Sequence, residues 1–229
     1  MSGFLKSSVG QKFLMSITGL FLIVFLAVHL TANLFLLVGS DAFNTVSHFM
    51  ETNPLIQIMQ PILALGFIIH MIYAAILTLQ NQKARPQSYN KFEQGHSSTW
   101  ASRNMFVLGA VIFIFLVIHI MNFFWKMKVS GSDLLAEVNV DGEMMHNSYA
   151  LVAGLFTDAD FGIVYSIFYV LGAVFLGLHL HHAFWSALQT LGWSNNAWRK
   201  RLEIIGDIYA IIIAAGFSII PLYFLIFMN

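Results

Sequence analysis

The chain has 229 residues, of which 58% are hydrophobic and 10% charged, with a formal net charge of zero and no cysteine. A soluble domain carries about a quarter charged residues, so this chain cannot clothe itself in a water-facing surface, and its neutral balance argues against a nucleic-acid partner. Without cysteine there is no disulfide framework, no thiolate zinc or iron–sulfur centre and no covalent haem attachment through a C-x-x-C-H sequence.

Five apolar runs are long enough to cross a hydrocarbon core, which takes about 20 helical residues: Phe13–Val38, Leu55–Leu79, Met105–Trp125, Phe161–Leu188 and Ile208–Phe227. Backbone groups in lipid must be satisfied within the segment, so the runs are predicted to be helices. The first run exceeds the apolar stretch of a signal peptide and has no small-residue cleavage site, so it reads as a span. Pro54 opens the second span, Pro61 falls within its first two turns, and Pro221 is a candidate kink in the last. The expected fold is an all-α integral membrane bundle, one domain over residues 1–229.

Basic residues orient it. Lys6, Lys12, Lys83, Arg85, Lys91, Arg103, Arg199, Lys200 and Arg201 lie on one side, against Lys126 and Lys128 on the other, where eight of the eleven acids also fall. The amino terminus is expected in the cytoplasm and the carboxy terminus outside. Two connections are long, the cytoplasmic Gln80–Ser102 and the outer Lys126–Asp160. Tyr89, Phe92 and Trp100 in the former make a candidate docking surface, or else aromatics lying in the headgroup region.

Nine histidines stand out. His29, His70, His119 and His179 fall one in each of the first four spans. An ionisable side chain inside a span is costly and marks a functional site unless it serves as hydrogen-bonded packing between helices. Depth separates the two readings. At 1.5 Å rise per residue, His29 and His119 lie roughly 13 and 9 Å from the outer ends of their helices, and His70 and His179 each roughly 13 Å from the inner ends. The predicted pairs are therefore His29 with His119 and His70 with His179. Two imidazoles facing each other in a bundle core are an axial ligand pair for a b-type haem. Gly66, one turn before His70, sits where a side chain would meet the porphyrin, and Gly19 and Gly109, ten residues before their histidines, fall near the inner depth. Zinc or di-iron would want three or four ligands at one height, and a proton-coupled transporter would show acidic relays that the middles of these spans lack. His182, three residues after His179, rivals it as ligand; with His181 it reads as an inner-side hydrogen-bonding group. His48 lies in the short outer connection, and His96 and His146 read as solvated loop residues.

The run His29-Leu-Thr-Ala-Asn-Leu-Phe, the stretch Ala42-Phe-Asn-Thr-Val-Ser-His-Phe-Met-Glu51 and the segment His179-Leu-His-His-Ala-Phe-Trp-Ser-Ala, ending in Thr190-Leu-Gly192, resemble the two-haem, five-helix cytochrome b subunit of succinate dehydrogenase and fumarate reductase. The resemblance covers nearly the whole chain. It implies a multi-pass protein of the prokaryotic cytoplasmic membrane, with flavoprotein and iron–sulfur subunits docked on the cytoplasmic face. Electrons would pass between the iron–sulfur subunit, an inner haem (His70, His179), an outer haem (His29, His119) and a quinone, with menaquinone near the outer haem expected. Members of the family carry an arginine and a small-residue motif at the start of the third helix. Here Met105 and Phe106 stand there, so Arg103 is a candidate haem-propionate partner or simply a positive-inside anchor. Quinone chemistry moves protons, so a titratable group near water is needed; Glu51 and His48 are the candidates, with Asn33 as a hydrogen-bonding group for quinone or propionate. Ser16 and Lys12 form a rival inner quinone site. Competing classes are the di-haem membrane subunit of a nitrate reductase or formate dehydrogenase, and a cofactor-free anchor or transporter.

Overall fold

The structure, a computed structural model, describes residues 3, 7–84, 100–193, 195 and 197–228. Lys6, Arg85, Tyr89, Lys91, Phe92 and His96 lie outside the described residues. In chain order the elements are α1 (Ser8–Leu34), α2 (Ser40–Thr52), α3 (Pro54–Lys83), α4 (Trp100–Arg103), α5 (Met105–Asn122), a hairpin of β1 (Glu137–Val140) and β2 (Glu143–His146), α6 (Ser148–Phe156), α7 (Gly162–Thr190) and α8 (Arg199–Phe227). Five helical stretches among the described residues are long and apolar enough to cross a membrane: α1 with its following turn to Leu37, α3, α5 with its continuation to Ser130, α7 and α8. The protein is an all-α multi-pass membrane bundle.

Local chemistry sets the helix ends. Ser7 caps α1 by accepting from the Gly10 amide at 3.0 Å. Asn53 caps α3 by accepting from the Leu55 amide at 3.0 Å, and Pro54 takes the first helical position, where its missing N–H costs nothing. The helices continue through Pro61 and Pro221. The last helix begins at Arg199, nine residues before the apolar run. Its first turns are amphipathic, tied by Arg199 Nε donating to Glu203 Oε1 at 3.0 Å, so hydropathy alone misses them.

Helices α7 and α8 pack most extensively, α1 runs beside α3, α7 and α8, and α5 lies against α7. Helices α3 and α5 meet only slightly. Close approach rests on small residues, as membrane helix interfaces do. A Cβ on Gly177 would sit 2.8 Å from the Ala214 Cβ on α8, and one on Gly172 would sit 2.4 Å from the ring of Phe115 on α5. One apolar cluster joins Ile23, Leu30, Leu180, Ala210 and Ile213; another, toward the outer end, joins Leu36, Phe43, Val152, Leu155, Phe156, Tyr169, Ile220 and Phe224.

The outer connections are folded, which corrects their reading as loops. His48 and Glu51 stand on α2, and His146 ends a strand. In the hairpin, Asp141 (φ 53°) and Gly142 (φ 89°) both take positive φ, the backbone of a type I′ turn. Asn44, 1% exposed, accepts from the Tyr149 amide at 2.8 Å and donates to Asn147 Oδ1 at 3.3 Å, while Ser47 Oγ donates to Ser148 Oγ at 2.8 Å. These bonds lock α2 onto α6. Asn44→Ala leaves the part-buried Tyr149 N–H without its acceptor, and the expected loss is about 1–3 kcal/mol of stability, read as a lowered midpoint of thermal unfolding in detergent.

Candidate functional site

His29 stands on α1, His70 on α3, His119 on α5 and His179 on α7, which also carries His181 and His182. The rings of His29 and His119 lie 5.8 Å apart, centroid to centroid, at 90° to each other. Phe25 and Phe217 pack on His29, and Phe115, Phe123 and Tyr169 surround His119. Asn122 donates to the Tyr169 hydroxyl at 3.1 Å beside them.

The other two histidines lie at a second level. A Cβ on Gly19 would sit 3.5 Å from His70 Cε1, and one on Gly109 would sit 3.9 Å from His179 Cε1. Gly19 precedes His29, and Gly109 precedes His119, by ten residues. The two levels are therefore roughly 15 Å apart along the helices. His70 and His179 share the second level through their positions against Gly19 and Gly109. Gly66 behaves otherwise than expected: it receives the Phe21 ring, 2.9 Å from where its Cβ would be, so it serves the packing of α1 on α3.

The hydrogen bonds of the rings bear on what these histidines do. His70 Nδ1 lies 3.4 Å from Thr18 Oγ1 on α1, and His29 Nδ1 lies 3.4 Å from Asn33 Nδ2 on its own helix. The buried Nδ1 atoms of His119 and His179 have no partner among the described residues. Histidines acting as packing glue would hydrogen-bond across helices, and of these four only His70 does so among the described residues. Buried polar atoms without partners need an explanation, and a bound group is one. The ring separation fits as well. An imidazole nitrogen binds a first-row metal at about 2 Å, so one ion held by two rings sets their centroids roughly 6 Å apart. Edge-to-face aromatic contact tolerates the same distance, so the unpartnered nitrogens carry more weight. Among the described residues no three His, Cys, Asp or Glu gather as a metal site. Pairs of this kind suit an iron whose other ligands come from a macrocycle.

Asn33 turns back on its own turn, donating to the His29 carbonyl at 2.8 Å, and so sits as a support for that ring. His182, with Nδ1 also buried and unpartnered, lies edge-on to Trp185 at 5.3 Å. Arg103 ends the short α4, beside α5 and α7, and is exposed. Ser16 is buried while Lys12 is exposed.

A cleft of about 160 Å³ opens on the side of the outer pair. Met50, Phe124, Met127 and Leu135 form its apolar wall, and Glu51, Gln60, Lys128 and His146 its polar groups. Glu51 Oε1 accepts from Lys128 Nζ at 2.9 Å, and its Oε2 lies 3.2 Å from His146 Nδ1. Gln57 donates to the Glu51 carbonyl, fixing the end of α2. Burial pushes the Glu51 carboxyl upward, but Lys128 and His146 outweigh it and hold the group below its usual value. His48 stands apart, outside the cleft lining and paired with Glu143 at 3.2 Å. His146 is therefore no free loop residue. Neither its contact with Glu51, 95 residues away, nor that of His181 with Asp207 Oδ1 at 2.5 Å has a signal in a single sequence. The hairpin that carries His146 did have one, Asp141-Gly142 between alternating residues.

Five spans with two couples of histidines at separate levels define a multi-pass membrane bundle with paired histidines in its interior. Among curated proteins, the chain is similar to the succinate dehydrogenase cytochrome b558 subunit of Bacillus subtilis (strain 168), 28% identical over 170 residues that cover 74% of this chain and 72% of that one. No protein-family model and no solved structure matches the chain.

Proposed function

We propose that this chain is the membrane-anchor cytochrome b subunit of a succinate:quinone oxidoreductase, a single domain whose amino terminus faces the cytoplasm and whose carboxy terminus faces outward. It works with a flavoprotein and an iron–sulfur subunit on the cytoplasmic face and passes electrons between the latter and a membrane quinone, menaquinone by the resemblance. The dicarboxylate chemistry belongs to the partner subunits. The observation that carries the reading is the set of four bundle histidines in two levels, two of them with buried nitrogens that find no partner among the described residues. His29 and His119 would hold an outer haem b, and His70 and His179 an inner one. A bound b haem supplies a one-electron carrier whose potential the protein tunes through ligands and dielectric. Thr18 and Asn33 orient the His70 and His29 rings, and the phenylalanines around the outer pair keep water away.

For the quinone, Met50, Phe124, Met127 and Leu135 offer an apolar bed, Gln60 a carboxamide donor, and Glu51 the group that takes or gives the proton. The reduced-minus-oxidised spectrum of the purified protein, with its haem content, tests the whole. Two b haems per chain are expected, and the lack of a b-type band removes the proposal.

A further inference from the structure

The polar side of the Glu51 cleft contains an imidazole that the reading above leaves without a task. Resting on that quinone site, we infer that His146 is the group through which Glu51 exchanges protons with the outer solution. Both Glu51 oxygens are engaged, Oε1 by Lys128 and Oε2 by His146 at 3.2 Å. The Glu51 side chain is 28% exposed and the His146 side chain 46% exposed, so the imidazole is the more solvent-accessible of the two. Of the two groups that hold Glu51, the lysine ammonium only donates, while an imidazole has two ring nitrogens, one of which can take a proton as the other gives one. Lys128 thus fixes the carboxylate, and His146 is the partner able to pass a proton on.

The surrounding charges fit this division. Glu137 lies opposite His146 in the ladder, and the Glu51 carboxylate meets the imidazole from α2. Lys126 and Lys128 come from the end of the third span. His48, the other imidazole nearby, is held by Glu143 and does not line the cleft.

Reducing a quinone to a quinol consumes two electrons, which succinate supplies through the enzyme, and two protons. Each proton passes from water to the His146 ring, from Nδ1 to Glu51 Oε2, and from Glu51 to a quinone oxygen; the ring is then reprotonated from water. Quinol oxidation runs the same path backwards and releases both protons outside. His146 acts through Glu51, so its role is to relay protons and to position the carboxylate.

The test uses membranes containing the whole complex, with quinone reduction by succinate measured across the imidazole pH range and expressed per unit of succinate–dye activity. His146→Gln keeps a hydrogen bond to Glu51 without a titrating ring. It is expected to slow quinone turnover roughly tenfold to a hundredfold and to erase the imidazole inflection from the pH profile, and added imidazole is expected to restore part of the rate in His146→Ala. If His146→Gln runs at the native rate while Glu51→Gln is slow, the relay is wrong and the site stands. If both run at the native rate, the quinone site itself is wrong. A slow His146→Gln with an unaltered pH profile, and no rescue of His146→Ala, reduces the residue to a structural tie and overturns the relay.

Discussion

His119→Ala is expected to abolish the outer haem and leave the inner one, and His70→Ala to do the reverse. Under the proposed assignment each imidazole is one of the two protein ligands at its level. The levels lie roughly 15 Å apart along the helices, so no histidine of the other pair can reach across to replace a lost ligand. His29→Ala joins the first class and His179→Ala the second. Potentiometric titration of each variant reads the outcome directly, because one of two redox components should vanish while the other keeps its amplitude. If the His29 and His70 variants lost the same component, the pairing by depth would be wrong. His179→Ala adds a second discrimination. His182 lies one turn further on with an unpartnered Nδ1, and an inner haem retained in His179→Ala but lost in His182→Ala would transfer the ligand role to His182. The present assignment favours His179, since its ring, not that of His182, lies against Gly109 of α5.

The features that proved legible in the chain are those with a one-dimensional signature. Apolar runs locate helices because lipid forbids other backbones, and a fixed rise turns residue number into depth, so the two histidine levels could be worked out by counting. The Gly19 and Gly109 spacings followed from the same arithmetic, and in the structure these glycines adjoin His70 and His179. Features fixed by three-dimensional contact stayed hidden. Gly66 shares a helical face with His70 by spacing, yet Phe21 of α1 fills the position in front of it, and no periodicity in α3 announces a ring from another helix. The amphipathic start of α8 carries Glu203 and Asp207 at the edge of the apolar region, where mean hydropathy loses contrast. The outer connection looked like loop because its elements are short, four residues in each strand and nine in α6. Their stability comes from Asn44, Ser47 and the apolar cluster beneath them rather than from local propensity.

Glu51→Gln is expected to slow quinone turnover by about two orders of magnitude, the usual contribution of a positioned acid or base, with both haems retained. Glutamine keeps the shape and can still accept from Lys128, but it cannot carry a proton. The pH dependence follows from the sign of the carboxyl's shift. Although burial works the other way, Lys128 and His146 hold Glu51 below its usual value, so its charged form persists to lower pH than in the unfolded chain. The stability drawn from these contacts is therefore present above the unfolded carboxylate value and is lost as pH falls through the lower, folded one. The native protein should accordingly be more stable than Glu51→Gln at neutral pH, with the two unfolding midpoints converging in acid. Turnover should follow the same logic, the native rate losing its advantage as the carboxylate is titrated and the glutamine variant lacking that acid limb. Measuring rate and unfolding midpoint against pH on the same membranes separates the two consequences. Native turnover in Glu51→Gln with a shifted midpoint would leave Glu51 as a clamp between α2, the hairpin and the third span, and would move the quinone to another place on the bundle.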